Sequence, residues 1–418
     1  MHSTNSFQES SFMLTRDGCE ERRRRLWRHV PESYSWVLIG DPRHVQYFCN
    51  FRVNPISFSA EQRPLLLLTR DGQSALMADN FTTRTTKETV FADHEIVVPW
   101  YTHRKSVTNR DHALVVALND IRALWDGEPG LTDTDSSSTT SRDRPRCGLV
   151  ESEGVSQLVA AAVADYSEPV FEDHAARART LGDVIRYLRR TKLPDEADIL
   201  RRCMRACEAG HAAAFDCVRA GVSEFEVYLH VQRAAEAAAG VPCVVYGDFR
   251  ANNPAEPKAG GLPTDYQMQP GDLFILDYSV VIHGYRSDFT NTLAVGDPSD
   301  DQVRLFEACH DALQASEAVL GNGVSCRKVY DAASEVLEDR GFGKLAHHAG
   351  HGLGLEHPEP PTLVPESTDR LMTGDVVTLE PGSYQSGIGG VRLEHNYLIS
   401  DAGAERLSQH DLRLTAGG

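Results

Sequence analysis

The sequence predicts an α+β protein of two domains: an α/β domain over residues 15–177, and a larger one over 178–418 built on an antiparallel sheet with flanking helices. Three observations carry the prediction. A chain of 418 residues exceeds what one ordinary hydrophobic core organises. Strands and helices alternate at short intervals up to about residue 175, whereas long helices dominate from about 178. In the second half, clusters of β-branched and aliphatic residues are separated by helix pairs, the pattern of an antiparallel sheet with its helices on one face.

In chain order, residues 1–14 are polar and read as a disordered tail. Arg16 to Arg28 is a charged helix, and Trp36 to Gly40 a strand. Leu65 to Thr69 and Ser74 to Ala78 are two strands joined through Asp71-Gly72, residue types that favour a tight turn. Ile96 to Val98 is a short strand and His112 to Leu124 a helix. Residues 126–146 are rich in Gly, Ser, Thr and Asp, a composition that cannot bury a core, so a flexible surface loop is expected. Pro194-Asp195 opens a long helix that Gly221 stops, and Ser223-Glu224-Phe225-Glu226 is a capping box opening the next. Asp300 to Gly321 and Cys326 to Gly341 form a further helical pair. Strands are expected at Val244 to Gly247, Leu273 to Val281, Thr290 to Val295, Val376 to Glu380 and Val391 to Ile399.

Bulk composition narrows the function classes. The net charge of −18 argues against nucleic acid or an anionic membrane as partner, because both require a basic face. The longest apolar runs, such as Leu65 to Leu68, are far too short to cross a bilayer. The polar N-terminus has no signal-peptide core, and nine scattered cysteines suit free thiols in a reducing compartment, so a cytoplasmic protein is expected.

The chemistry concentrates in the second half. Asp277 interrupts the apolar strand Leu273 to Val281, where an unpaired carboxylate is costly. The chain turns at His283-Gly284 and returns through Asp288; with Ile282 and His283 as the turn, Asp277 sits opposite Asp288. A two-residue shift of the turn keeps both on one face. Two carboxylates so close share either a proton or a metal. Further along, His351 stands between glycines in a segment without helical or strand period, and Glu380 and Glu394 each end or interrupt an apolar strand. Four carboxylates and an imidazole form a hard-to-borderline ligand set suited to Mn, Co, Fe or Zn. Asp277, Asp288, His351, Glu380 and Glu394 are therefore expected to form a two-metal site.

With these residues in place, the sequence resembles the pita-bread-fold metallopeptidases, which include proline-specific aminopeptidases, prolidases and methionine aminopeptidases. The Asp277/Asp288 spacing, Gly350-His351-Gly352, Glu380-Pro381-Gly382 with Tyr384, and Val391-Arg392-Leu393-Glu394 look like family motifs. The N-terminal half is similar to the creatinase-type domain of the proline-specific members. The resemblance implies that Asp277 and Asp288 hold one ion, Asp288 and Glu394 bridge, and His351 and Glu380 complete the second. Two divalent ions are implied, manganese ahead of cobalt, iron or zinc. It further implies that Glu380 takes a proton from a bridging water, with His347 near the substrate, Arg392 beside the site and Tyr384 the tyrosine of the Glu380 motif. A short peptide or small amide as substrate and a homodimer follow from the same resemblance.

Two positions depart from the family pattern. Gly260 stands where a substrate-contacting histidine is usual, and Pro358 where a second is, with His357 one place earlier. Three readings follow: a metal-dependent hydrolase of Xaa-Pro peptides, a small-molecule amidohydrolase or lyase on the same scaffold, and an inactive binding homologue.

Overall fold

The computed structural model describes residues 13–53, 62–85, 89–104, 109–126, 147–163, 171–172, 178–258 and 260–415. The expected tail (1–14) and loop (126–146) fall almost wholly outside them. The chain divides into two compact units, Met13–Leu188 and Arg189–Gly418.

The first unit begins with α1 (Arg16–His29), capped by Thr15, whose side chain accepts from the Gly18 amide. Next come β1 (Tyr34–Ile39) and α2 (Pro42–Cys49), then β2 (Leu65–Thr69), β3 (Ser74–Asp79), β4 (His94–Val98), α3 (Asp111–Asp126) and β5 (Cys147–Val150). The five strands form one mixed sheet in the order β4-β3-β2-β1-β5. Its core includes Leu38, Leu65, Leu67, Met77 and Val150, with Leu114 and Leu118 of α3 packed against them. The helix α2 was absent from the sequence reading, although Asp41 as N-cap and Pro42 at the first helical position mark its start. The unit closes with α4 (Gln157–Ala161), the short pair β6 (Phe171–Glu172) and β7 (Ala178–Arg179), and most of α5 (Leu181–Arg189).

The second unit is helical first: α6 (Pro194–Cys217), then α7 (Glu224–Ala239) behind the expected Ser223/Glu226 capping box. A four-stranded antiparallel sheet follows: β8 (Val244–Asn252), β9 (Leu273–Ile282), β10 (Tyr285–Arg286) and β11 (Phe289–Ala294). His283 (φ 50°) and Gly284 (φ 84°) make the two-residue turn that pairs Ile282 with Tyr285. Two successive positive φ values match the twist of a hairpin. This turn is one residue later than His283 and Ile282 would give. The register therefore shifts by two: Asp277 faces Thr290 rather than Asp288. Because the shift is even, Asp288 stays on Asp277's face of the sheet.

After α8 (Asp300–Ala318) and α9 (Cys326–Asp339), the chain forms β12 (Gly350–Gly352), β13 (Glu359–Leu363), β14 (Val376–Leu379), β15 (Gly382–Gln385), β16 (Gly389–Arg392), β17 (His395–Ser400) and β18 (Gly403–Arg406). The five strands β13-β12-β14-β17-β18 make one sheet, and β15-β16 make a separate ribbon. Leu305, Cys309 and Leu313 of α8 and Val329 and Leu337 of α9 share a buried core with Leu379, Val391 and Tyr397. The run Val391 to Ile399, expected as one strand, breaks in two at Leu393-Glu394, and the halves pair into different sheets. The eight cysteines whose side chains are described are free. Among the described residues no helix is long and apolar enough to cross a membrane.

Candidate metal centre

Strand interiors and the breaks between strands both supply the site. Glu380 follows the last residue of β14, and its amide donates to the Ala349 carbonyl at 2.9 Å. Glu394 lies in the break between β16 and β17, where its amide donates to the Thr290 carbonyl at 3.0 Å. Both glutamates thus stand where the chain passes between sheet and ribbon, freed from regular pairing and held by one backbone bond. Asp277 is mid-strand in β9, flanked by Asp248 of β8 and Thr290 of β11. His351 is the centre of β12. A Cβ on Gly350 would stand 1.9 Å from the Thr378 carbonyl oxygen, so the glycine allows β12 to approach β14 closely.

The side chains converge in three groups, each with donor atoms within 4.8 Å of one another: Asp277, Asp288 and Glu394; Asp288, His351 and His357; His347, His348 and Glu380; the first two share Asp288. His351 Nε2 lies 3.5 Å from Asp288 Oδ2 and 3.3 Å from Glu380 Oε1. Its Nδ1 is 2.9 Å from the Gly352 carbonyl, which requires the proton there and directs Nε2 into the cluster. Thr290 Oγ1 donates to Glu394 Oε2 at 2.6 Å, while Glu394 Oε1 is buried with no hydrogen-bond partner among the described residues.

The electrostatics follow from burial and crowding. Burial pushes the Asp277 carboxyl up to about 7, against the opposing pull of Arg392. Burial and the charges of Asp288 and Asp277 drive Glu394 well above the carboxylate range. Burial also disfavours a charge on Glu380, but hydrogen bonds from His348 and His351 outweigh it and hold that group well below its usual value. The His351 imidazole, despite burial, is raised to about 9 by Glu380 and Asp288, so a proton on Nε2 serves these acids as the local cation.

The remaining residues singled out in the sequence lie around this cluster. Arg392 pairs with Asp277, donates to Tyr384 Oη at 2.8 Å and contacts Asp248 Oδ2 at 3.0 Å. His347 is half-buried, its Nδ1 2.8 Å from the His348 carbonyl and its Nε2 without a hydrogen-bond partner among the described residues. His357 Nε2 lies 2.7 Å from Asp288 Oδ2. Gly260 is exposed, and a Cβ there would meet Asp248 Oδ2 at 3.1 Å. Two participants were absent from the sequence reading. His348 contacts Glu380 at 3.0 Å, and Asp248 stands across the strand pair from Asp277.

The donor set fits divalent cations. Buried acids crowded on one place repel each other, a buried carboxylate oxygen is left unpaired, and an imidazole is oriented by its second nitrogen. These features are the ones metal binding satisfies.

Comparison with known proteins places the chain among enzymes of similar architecture. The profile of metallopeptidase family M24 matches residues 198–401. The chain is 30% identical to an Xaa-Pro dipeptidase of Pyrococcus furiosus over 242 residues, which span 56% of this chain and 68% of that one. A second Xaa-Pro dipeptidase, from Pyrococcus horikoshii, is 29% identical over the same length and covered to 67%. Among solved structures, an Xaa-Pro dipeptidase from Bacillus anthracis superimposes with a TM-score of 0.71 at 21% identity, covering 95% of this chain and 99% of its own. An X-Pro aminopeptidase from Thermotoga maritima gives 0.72 at 18% identity, covering 94% and 99%. These likenesses show that the mixed, two-domain fold is shared across nearly the whole chain.

Proposed function

The chain belongs to metallopeptidase family M24, and we propose that within it this protein hydrolyses the peptide bond before proline in short peptides. Asp277, Asp288, His351, Glu380 and Glu394 would hold two divalent ions, with Asp288 and Glu394 shared between them and manganese the first ion to test. The observation that carries the reading is the convergence of these scattered residues: two donor groups share Asp288, and His351 Nε2 lies 3.3 Å from Glu380 Oε1. The Xaa-Pro dipeptidase at 30% identity supports the choice of substrate and favours a peptidase over the amidohydrolase, lyase or inactive alternatives.

The ions, when bound, supply an acidified water and polarise the scissile carbonyl. The chain's own residues do the rest. Glu380, with His348 Nε2 3.0 Å from its Oε1, is the carboxylate placed to take the proton from water. Arg392, fixed by Tyr384 and Asp248, holds its guanidinium against Asp277 and orients that carboxylate. The Nε2 of His347, which has no partner among the described residues while Nδ1 donates to the His348 carbonyl, can accept a hydrogen bond from a ligand at this edge of the site.

The test is turnover of an Xaa-Pro and Xaa-Ala dipeptide and tripeptide panel by the purified protein supplied in turn with Mn2+, Co2+, Fe2+ and Zn2+. Asp288→Ala is the control. Metal-dependent cleavage of Xaa-Pro peptides that the substitution abolishes is expected. Indistinguishable background rates from both proteins on every Xaa-Pro peptide would remove the proposal.

A further inference from the structure

We propose that His357 is itself a ligand of the centre, joining Asp288 and His351 on one ion; the inference rests on the metal-dependent reading above. His357 lies in the segment between β12 and β13, immediately before Pro358, and brings its ring to 4.7 Å from that of His351, nearly perpendicular to it. Both imidazoles direct Nε2 at the same carboxylate oxygen. His357 Nε2 lies 2.7 Å and His351 Nε2 3.5 Å from Asp288 Oδ2. One donor atom each of Asp288, His351 and His357 lies within 4.8 Å of the others.

The separations have the size that shared coordination requires. Two donors on one ion, each with a bond of about 2.0–2.2 Å, stand about 2.8–3.6 Å apart between octahedral and tetrahedral angles. The separations of 2.7, 3.3 and 3.5 Å linking His357, Asp288, His351 and Glu380 fall on or beside that range. The His357 side chain is 38% exposed, so it forms the solvent side of the donor set while the other three residues form its buried side. Two consequences follow. The centre carries two imidazoles rather than one, which moves its preference from manganese toward cobalt, zinc or iron. The same imidazole is then engaged by the metal and is not a hydrogen-bond donor to substrate.

Titration of the full-length protein with Co2+, read by visible d–d absorption and by calorimetry, tests this without reference to turnover. Absence of Co2+ binding by the unsubstituted protein would defeat the metal-dependent reading itself. Given binding, His357→Gln should change the position or intensity of the visible band and weaken affinity at least tenfold. His357→Gly should lose the same spectral feature and regain it when imidazole is added. Circular dichroism reports whether each variant is folded. A band identical to that of the unsubstituted protein in a folded variant overturns the assignment, whatever the affinity. So does failure of imidazole to alter the spectrum of folded His357→Gly.

Discussion

Glu394 shows how single residues set this centre. It is buried beside two aspartates, one of its oxygens is held only by Thr290 Oγ1, and the other has no partner among the described residues. Thr290 therefore orients a carboxyl whose charge burial and its neighbours disfavour. Thr290→Val removes that bond while nearly preserving volume, and should weaken Mn2+ binding by about 10–100-fold, as lost outer partners of ligands typically do. Calorimetry checks it, and an unchanged affinity in a folded variant would contradict the role. At this scale the sequence was informative where residue type alone signals cost, as with Asp277 inside an apolar strand. It was uninformative where spatial neighbours decide. The strand reading stopped at Gly247, one residue short of Asp248, and the His347-His348 doublet was credited with one functional imidazole. The structure turns His348 onto Glu380.

At the scale of elements, strand ends and breaks position the chemistry. The stretch from Val391 to Ile399 has the composition of one strand, yet its two halves pair with different partners and leave Glu394 in the break. No local pattern announces such a break, because pairing is decided by partners distant in sequence. The hairpin register was two residues out for the same reason, although period-two alternation preserved the face. The segment leading into α6 is tied to β13 by another buried cluster. Arg189 pairs with Glu359, and Lys192 Nζ lies 3.2 Å from the same carboxylate. Burial opposes the Glu359 charge, but the two cations prevail and bring its pKa down to about 2. A depressed carboxylate contributes stability that is complete above its unfolded value near 4.3 and is lost as pH falls toward 2. Glu359→Gln leaves buried cations unpaired and should lower stability by about 3–5 kcal/mol in urea unfolding near neutral pH. The difference from the unsubstituted protein should shrink as pH falls below about 4. A difference independent of pH would contradict this account.

For the whole molecule, family membership and fold were legible because the site residues recur in one order along the chain and the strand and helix textures of the two units differ. What lay beyond reach was how those residues meet in space, including the approach of His357 to Asp288. The assembled centre also links metal, pH and global stability. Asp277, raised to about 7, and Glu394, raised well above its usual value, gain stability from their protons. That contribution is present below their unfolded values and fades as pH rises through the folded ones. An ion must displace those protons, so its binding strengthens with pH. The rise in Tm produced by Mn2+ over a chelator-treated sample should be larger at pH 8 than at pH 6. An equal rise at both would show that these carboxyls are not the groups displaced. The most direct test of the account is metal stoichiometry, measured by elemental analysis after equilibration with Mn2+ or Co2+ and removal of free ion. Two ions per chain are expected, falling to one or fewer in Asp288→Ala. A single ion in the unsubstituted protein, or two retained in Asp288→Ala, would contradict the shared centre.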